Sequence, residues 1–355
     1  MKQNLIQAIS EKYKLGPADS LQISPLGEGL IHQTFLVSDG NQDWVLQGFN
    51  NSVFKFPDRI SNNLGLLSKY ILSHPLPFSL PLPMETMEGD NLLEVEGKLY
   101  RLFEFVKGQT IQQISKIEQA FLAAEAYGVF ADWAKNVSIE NFQESIPNFH
   151  RLDLRYDRLV EVAAQKSGQS AEEEEILQFY IGQKPLIKAY ISLIEKIPSR
   201  LTHNDTKINN LIFSGDLTKV EAVIDLDTLM PGYLMYDFGD LVRTVACSLP
   251  ETSTQWDQIR LQVPVFEALL KGYWKGIKSM ATPEEINSLL LAGEIMTCIM
   301  GLRFFTDHIE GNVYYRVAYP EQNFHRAKNQ MIFLKDQQSK RTELGEILHS
   351  LTRVV

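Results

Sequence analysis

The stretch Thr202-His203-Asn204-Asp205-Thr206-Lys207-Ile208-Asn209-Asn210 constrains this chain more than any other. A short β-type run follows, Leu211–Phe213, then a turn at Ser214-Gly215-Asp216. A second run, Val220–Ile224, ends at Asp225-Leu226-Asp227. Two polar clusters therefore sit at the open end of one predicted hairpin, which brings Asp205, Asn210 and Asp225 to one spot. Phosphoryl transfer needs such a set. Asp205 is placed to accept the proton of an incoming hydroxyl. Asn210 and Asp225, with Asp227 beside them, are hard oxygen donors placed to hold Mg²⁺ against phosphates. The plainer reading is a structural hairpin with solvated acids.

The first third of the chain carries strand signals at Leu21–Pro25, Thr34–Val37 and Trp44–Gln47, bounded by Gly, Asp and Asn. Asn91–Val95 and Lys98–Val106 flank Glu96-Gly97, a hairpin turn. One helical segment, Asp58 to Ser73, follows Pro57. After Lys107-Gly108 the texture becomes helical. Ile117–Val137 has apolar residues at helical spacing, and Ser170 with Glu173 and Thr282-Pro283-Glu284-Glu285 are helix starts. The expected fold class is α+β and bilobal. A small antiparallel β-rich lobe spans 1–106 and a larger helical lobe spans 107–355, with a ligand cleft between them.

Gly27-Glu28-Gly29 lies between the first two strands, where glycines let backbone N–H groups approach phosphate oxygens. Gly27 and Gly29 are thus candidate nucleotide contacts. There is no G-x-x-x-x-G-K-[ST], and no strand-G-x-G-x-x-G-helix unit, so P-loop and dinucleotide folds are not expected. A literal Asp237-Phe238-Gly239 stands twelve residues past Asp225 and opens a helical run. Asp237 is expected to cap that helix or brace the catalytic loop. His203 is expected to brace the same loop.

The formal net charge of −10, with no dense Lys/Arg block, argues against a nucleic-acid partner. Two cysteines, Cys247 and Cys298, have no metal-ligand spacing and read as buried thiols of a reducing compartment. The N-terminal residues lack the apolar core of a signal peptide. The longest apolar tract, Ile286–Phe305, is broken by polar residues and reads as a buried helix. A cytoplasmic protein with no membrane partner is expected.

The pattern H-x-D-x-x-x-x-N, a hairpin, then I-D-x-D resembles the catalytic segment of the protein-kinase-like superfamily. It is most similar to the branch of choline kinases and aminoglycoside phosphotransferases. HNDTKINN, VIDLDTLMPG with YDFGD, GEGLIHQTF, VLQGFN with VFKFP, and IPNFH together look like the N-acetylhexosamine 1-kinases. That resemblance implies ATP and Mg²⁺ as cofactors and a small sugar as substrate, phosphorylated at its anomeric hydroxyl. It implies Asp205 as base, and Asn210 and Asp225 as metal ligands. Lys207 falls where protein kinases carry a lysine on the transferred phosphate. The strand Leu99–Val106 leads to the hinge, which makes Phe103, Glu104 and Phe105 the adenine-side segment. Arg303 matches a sugar-binding arginine of those kinases; its bland alternative is a pair with Asp307, one turn on. Tyr314, with Tyr315, and His32 are further substrate candidates.

Two departures stand out. Kinase-like folds pair a lysine on the strand after the lid with a helix glutamate. Here Gln47 fills the lysine slot, and Arg59–Ser73 contains no acid. Gln47 is the cofactor-side residue expected there, with Lys207, Lys55 or Arg59 as compensating cations. Other readings are a kinase for choline, an aminoglycoside or an amino-acid alcohol, a metal-dependent hydrolase using His203 and the acids, or a nucleotide-binding pseudokinase.

Overall fold

The computed structural model describes residues 2–27, 32–51, 54–165 and 170–353. It opens with helix α1 (Lys2–Tyr13) and strands β1 (Gln22–Pro25), β2 (Gln33–Ser38) and β3 (Asp43–Gly48). Helix α2 (Pro57–Ile71) follows, and then the hairpin β4 (Leu93–Val95) and β5 (Lys98–Glu104). The five strands form one antiparallel sheet in the order β1-β2-β3-β5-β4. Glu96 and Gly97 join β4 to β5 with φ of 51° and 73°, the positive pair that a tight primed turn requires. Alternation along β3 buries Trp44 and Leu46 on one face. These meet Leu5, Ile9 and Tyr13 of α1 in a small core.

The larger lobe contains helices α3 (Ile117–Ala134), α4 (Leu152–Gln165), α5 (Ala171–Ile181) and α6 (Lys184–Ile194). Short strands follow: β6 (Arg200–Thr202), β7 (Leu211–Phe213), β8 (Val220–Val223) and β9 (Met230–Gly232). Helices α7 (Leu234–Val245), α8 (Val263–Ile277), α9 (Pro283–Ile309) and α10 (Gln322–Thr352) complete it. Ser170 and Thr282 form capping boxes with Glu173 and Glu285, as the sequence indicates. This is the bilobal α+β arrangement expected. The packing adds one detail: Ile60, Leu64 and Leu67 of α2 belong to the large core, not to that of the sheet.

Helix α9 is apolar enough to span a membrane by length and composition, yet 78% of its most apolar window is buried in this core. Its neighbours α7 and α10 supply that cover. Cys247 and Cys298 are free thiols.

The β7–β8 ribbon is held at both edges by the segments that join the lobes. Ser79 bonds with β8 through Ser79 N–H to Glu221 O, 2.8 Å, and Val223 N–H to Ser79 O, 3.0 Å. Gln109 bonds with Phe213 of β7, with both N···O distances 2.9 Å. Gly108 sits against this edge with φ of +149°, and a Cβ there would lie 2.3 Å from the Phe213 carbonyl. The lobe junction expected near Phe105–Gly108 is therefore welded onto the ribbon that carries the polar clusters.

Helices α3 and α8 approach closely because Gly128, Gly272 and Gly276 line the contact. A Cβ on Gly276 would stand 2.3 Å from the Gly128 carbonyl carbon, and one on Gly272 2.2 Å from the Phe121 carbonyl oxygen. Gly276→Ala should lower unfolding free energy by about 1–3 kcal/mol through overpacking. Gly65→Ala, in open space on α2, should raise it by about 0.5–1 kcal/mol. Urea titration of both variants checks the contrast.

Candidate active site

The catalytic loop is shaped by buried polar groups that satisfy its backbone. Asn204 adopts a left-handed conformation, φ 63°. Its Nδ2 donates to the carbonyls of Thr202 and Thr228, both at 3.1 Å, and of Met230 at 3.2 Å. Asp237, in the first turn of α7, accepts the backbone N–H groups of His203 (3.1 Å) and Asn204 (2.8 Å). Of the two expectations for Asp237, it is the brace; Tyr233 occupies the cap position. Burial pushes the Asp237 carboxyl up to about 6 against the pull of His203 and those two N–H donors. His203 ties the loop to β8, with Nε2 3.0 Å from the Ile224 carbonyl, while its Nδ1 accepts from Asp205 N–H at 3.3 Å.

The ribbon brings Asp205, Asn210 and Asp225 together. Asn210 Nδ2 donates to the Asp205 carbonyl (2.8 Å) and to its carboxylate (3.0 Å). The Asn210 carbonyl accepts Ile224 N–H at 2.9 Å, next to Asp225. Donation through Nδ2 fixes the Asn210 amide and leaves Oδ1 as its acceptor end. Asp225 is left-handed, φ 61° and ψ 58°, at the end of β8 and open to solvent. Its crowded position in the cleft, then the charges of Asp227 and Asp205, push its carboxyl up to about 7. Burial opposes the Asp205 charge too, but Lys207 at 2.7 Å outweighs it and holds that carboxyl below its usual range. Burial opposes the Lys207 charge as well, and the same ion pair outweighs it and raises Lys207. The donor set suits a hard cation. An amide oxygen and one open carboxylate leave room for phosphate oxygens, the usual mode for Mg²⁺. Among the described residues no cluster of three or more His, Cys, Asp or Glu forms an all-protein cage.

Asp227 is engaged differently from the sequence expectation. Arg101 of β5 meets it with Nη1 to Oδ1 at 2.6 Å and Nη2 to Oδ2 at 2.8 Å. His32 Nε2 lies 2.9 Å from Oδ2. Both oxygens are thus engaged and the residue is buried, which leaves Asp225 as the carboxylate with open oxygens. Burial opposes its charge, and Arg101 with His32 holds its carboxyl far below the usual range. His32 also changes role. Its Nδ1 accepts Asn50 N–H at 3.1 Å, so the ring proton is on Nε2, facing Asp227. With both nitrogens used and the ring stacked on Phe54, His32 is not a substrate contact here.

Gln47 lies directly opposite Arg101 in the β3–β5 register, and its Oε1 accepts from Arg101 Nη2. Arg101 is the cation that sequence reasoning missed in favour of Lys207, Lys55 and Arg59. Its signal was a lone charge inside Leu99-Tyr100-Arg101-Leu102-Phe103. At the hinge, Phe103 and Glu104 end β5, and Phe105 N–H donates to the Asp43 carbonyl at 3.3 Å. Gly27 has φ +67° and nothing near its Cβ position; Gly29 lies outside the described residues.

A cavity of about 540 Å³ opens beside the catalytic loop, lined by Arg155, Arg303, Asp307, Tyr314 and Tyr315 among others. Its wall runs through Asn148 into Phe149 and His150, and His150 Nε2 lies 2.9 Å from the Asn204 carbonyl. The expected alternative pair of Arg303 with Asp307 does not form. Asp307 instead accepts Tyr314 N–H (2.7 Å), Tyr315 N–H (3.0 Å) and Asn323 Nδ2 (2.8 Å). Arg303 lies over the rings of Phe149, Tyr314 and Tyr315, and Nη2 reaches the Tyr314 hydroxyl at 3.4 Å. Arg155 donates to the carbonyls of Asn148 and Phe149, and its Nε is buried without a partner. Burial, and then Arg303, lower Arg155 to about 10.

A β-rich lobe, a helical lobe and an Asp/Asn/Asp ribbon at their junction define a small-molecule phosphotransferase of the aminoglycoside and choline kinase type. The chain belongs to the APH phosphotransferase enzyme family, whose model matches residues 22–274. Among solved structures it resembles an aminoglycoside phosphotransferase from Alicyclobacillus acidocaldarius (TM-score 0.63, 13% identity, 93% of each chain). It also resembles a microcompartment-associated aminopropanol kinase (0.61, 14%, 96% of this chain and 98% of that one). Choline kinase from Cryptosporidium parvum is similar as well (0.57, 13%, 98% and 97%).

Asp237→Ala would strip the shared acceptor from two buried N–H groups. It should cost about 1–3 kcal/mol for each donor left bare. Hydrogen exchange at the His203 and Asn204 amides, with urea unfolding, reads the loss; unchanged protection of those amides removes the brace.

Proposed function

We propose that this chain transfers the γ-phosphoryl group of ATP to the anomeric hydroxyl of an N-acetylhexosamine, yielding a sugar 1-phosphate and ADP. Asp205 accepts the hydroxyl proton as the sugar oxygen bonds to the γ-phosphorus. The bond from that phosphorus to the β,γ-bridging oxygen breaks, and ADP leaves with the electron pair. Lys207 keeps Asp205 ionised and lies within reach of the transferred group. Asn210 Oδ1 and Asp225 would hold Mg²⁺, which would neutralise charge on the phosphates. Gln47 has its Oε1 held by Arg101, which leaves its amide N–H groups as the donors it can offer a nucleotide. Gly27, with its open left-handed backbone, belongs to the lid over the phosphates.

One observation carries the choice of acceptor. Arg155 and Arg303 line the cavity beside the catalytic loop, and neither has a carboxylate partner among the described residues. The similar kinases act on amine-bearing acceptors, as their names state: aminoglycosides, aminopropanol, choline. Two uncompensated guanidinium groups repel such cations and donate to hydroxyl and carbonyl oxygens. Tyr314 and Tyr315 add ring faces for a sugar. The sequence blocks shared with N-acetylhexosamine 1-kinases point the same way.

Phosphorus NMR after incubation with ATP, Mg²⁺ and a panel of N-acetylhexosamines, choline, ethanolamine and kanamycin tests the proposal. A carbon-1 phosphate on the amino sugar is expected, and turnover of the amines alone would overturn it. Asp205→Asn should cut turnover about a hundredfold or more with ATP still bound.

The pH dependence follows from Asp225. Its raised carboxyl must lose a proton to ligate a cation, so activity at limiting Mg²⁺ should fall on the acid side with a midpoint near 7. Saturating Mg²⁺ favours the ionised form and should move that midpoint lower. Asp205, whose pKa is depressed, adds no limb in this range. Rate profiles at two Mg²⁺ concentrations check the shift.

A further inference from the structure

The small lobe reaches the loop after β8 through three side chains. Arg101 and His32 hold Asp227, and Asn63 of α2 donates Nδ2 to the Leu229 carbonyl at 2.9 Å. These residues are 126, 195 and 166 positions from their partners in sequence, so each contact links elements that only the folded chain brings together. Arg101 is 3% exposed and lies against the rings of Phe49 and Phe103, 4.9 Å and 5.4 Å from their centroids. It opposes Gln47, the residue in the slot where kinase-like folds carry the lysine of their lysine–glutamate pair. Asn63 is the buried polar residue of the helix that lacks the glutamate.

We propose that Arg101 and Asp227 are a positioning pair. The pair ties the small-lobe sheet to the cation-side loop and sets Asp225. Asp225 lies between two fixed points. Upstream, Ile224 is bonded to Asn210 and His203. Downstream, Asp227 is clamped bidentately and Leu229 is bonded to Asn63. A non-glycine residue stays left-handed where its surroundings over-determine it, and this clamp is half of those surroundings. Arg101 itself is too enclosed, and too fully engaged at both terminal nitrogens, to serve as a phosphate contact. Lysine could not replace it, since a single ammonium cannot bridge both Asp227 oxygens and Gln47.

The inference rests on Asp225 being a cation ligand. It is tested by Mn²⁺ binding to the protein–ADP complex, read by electron paramagnetic resonance, alongside turnover and thermal unfolding. In Arg101→Lys, Mn²⁺ should bind at least fivefold more weakly and kcat should fall at least tenfold, with acceptor KM within twofold. The double variant Arg101→Leu/Asp227→Leu leaves no buried charge unpaired. It should fold and show the same weakened Mn²⁺ binding, keeping the test valid if the lysine variant unfolds. Wild-type Mn²⁺ affinity in either folded variant overturns the positioning role. Asp225→Asn separates the two readings: if it binds Mn²⁺ normally, the assignment of Asp225 falls. If it loses Mn²⁺ while the Arg101 variants do not, only the positioning pair falls.

Discussion

Ile224 N–H bonded to the Asn210 carbonyl, with His203 Nε2 on the Ile224 carbonyl, is the knot on which this site depends. These two bonds join the end of the catalytic loop to the end of β8, so Asp205, Asn210 and Asp225 come from one rigid ribbon rather than from three loops. On either side of the knot stands a left-handed residue that is not glycine, Asn204 and Asp225. Each such conformation costs about 1–3 kcal/mol unless its surroundings enforce it. Asn204 is enforced by three carbonyls on its amide and by Asp237 beneath its N–H. Asp225 is enforced from both flanks. The strain sits where the chemistry sits.

Burying this much polarity is tolerable because nearly every group is paired. An isolated buried charge is costly, while a bidentate arginine–carboxylate contact with further hydrogen bonds recovers much of that cost and specifies one geometry. Arg101–Asp227 fits that description at the lobe junction. Glu285 with Arg200 and Glu294 with Arg341 do the same for helix α9 at the far side of the large lobe. The groups left bare among the described residues are scattered, Arg101 Nε at the lobe junction included; two of them, Arg155 Nε and the Tyr315 hydroxyl, belong to the same cavity wall.

Much of this was readable before any coordinates. The catalytic ribbon was legible because its logic is local: two short runs, one turn, and polar residues at fixed offsets. The capping boxes at Ser170 and Thr282 and the turn at Glu96-Gly97 were legible for the same reason. What escaped were contacts between distant segments. Asp227 reads like a second metal ligand beside Asp225, and nothing nearby says that Arg101 and His32 will occupy both its oxygens. Arg303 and Asp307 are spaced for a helical ion pair, yet the loop after α9 folds back and offers its own N–H groups to Asp307. Helix α10, whose polar and apolar residues alternate without a clear stripe, carries no such local signal; it packs against α9, α5 and α8.

The ribbon and the cavity are built from different elements, and Asp307 belongs only to the second. The ribbon lies at the lobe junction and is fixed by α3, α7 and the small lobe. The cavity is built by α4, α9 and the loop beyond α9, which can vary without touching Asp205. Here Asp307 accepts three N–H donors, so it shapes the Tyr314-Tyr315 wall and forms no ion pair with Arg303. Arg303 then keeps its charge, spread over three aromatic faces, and Arg155 adds a second. The charge of that wall is set by where one carboxylate spends its lone pairs.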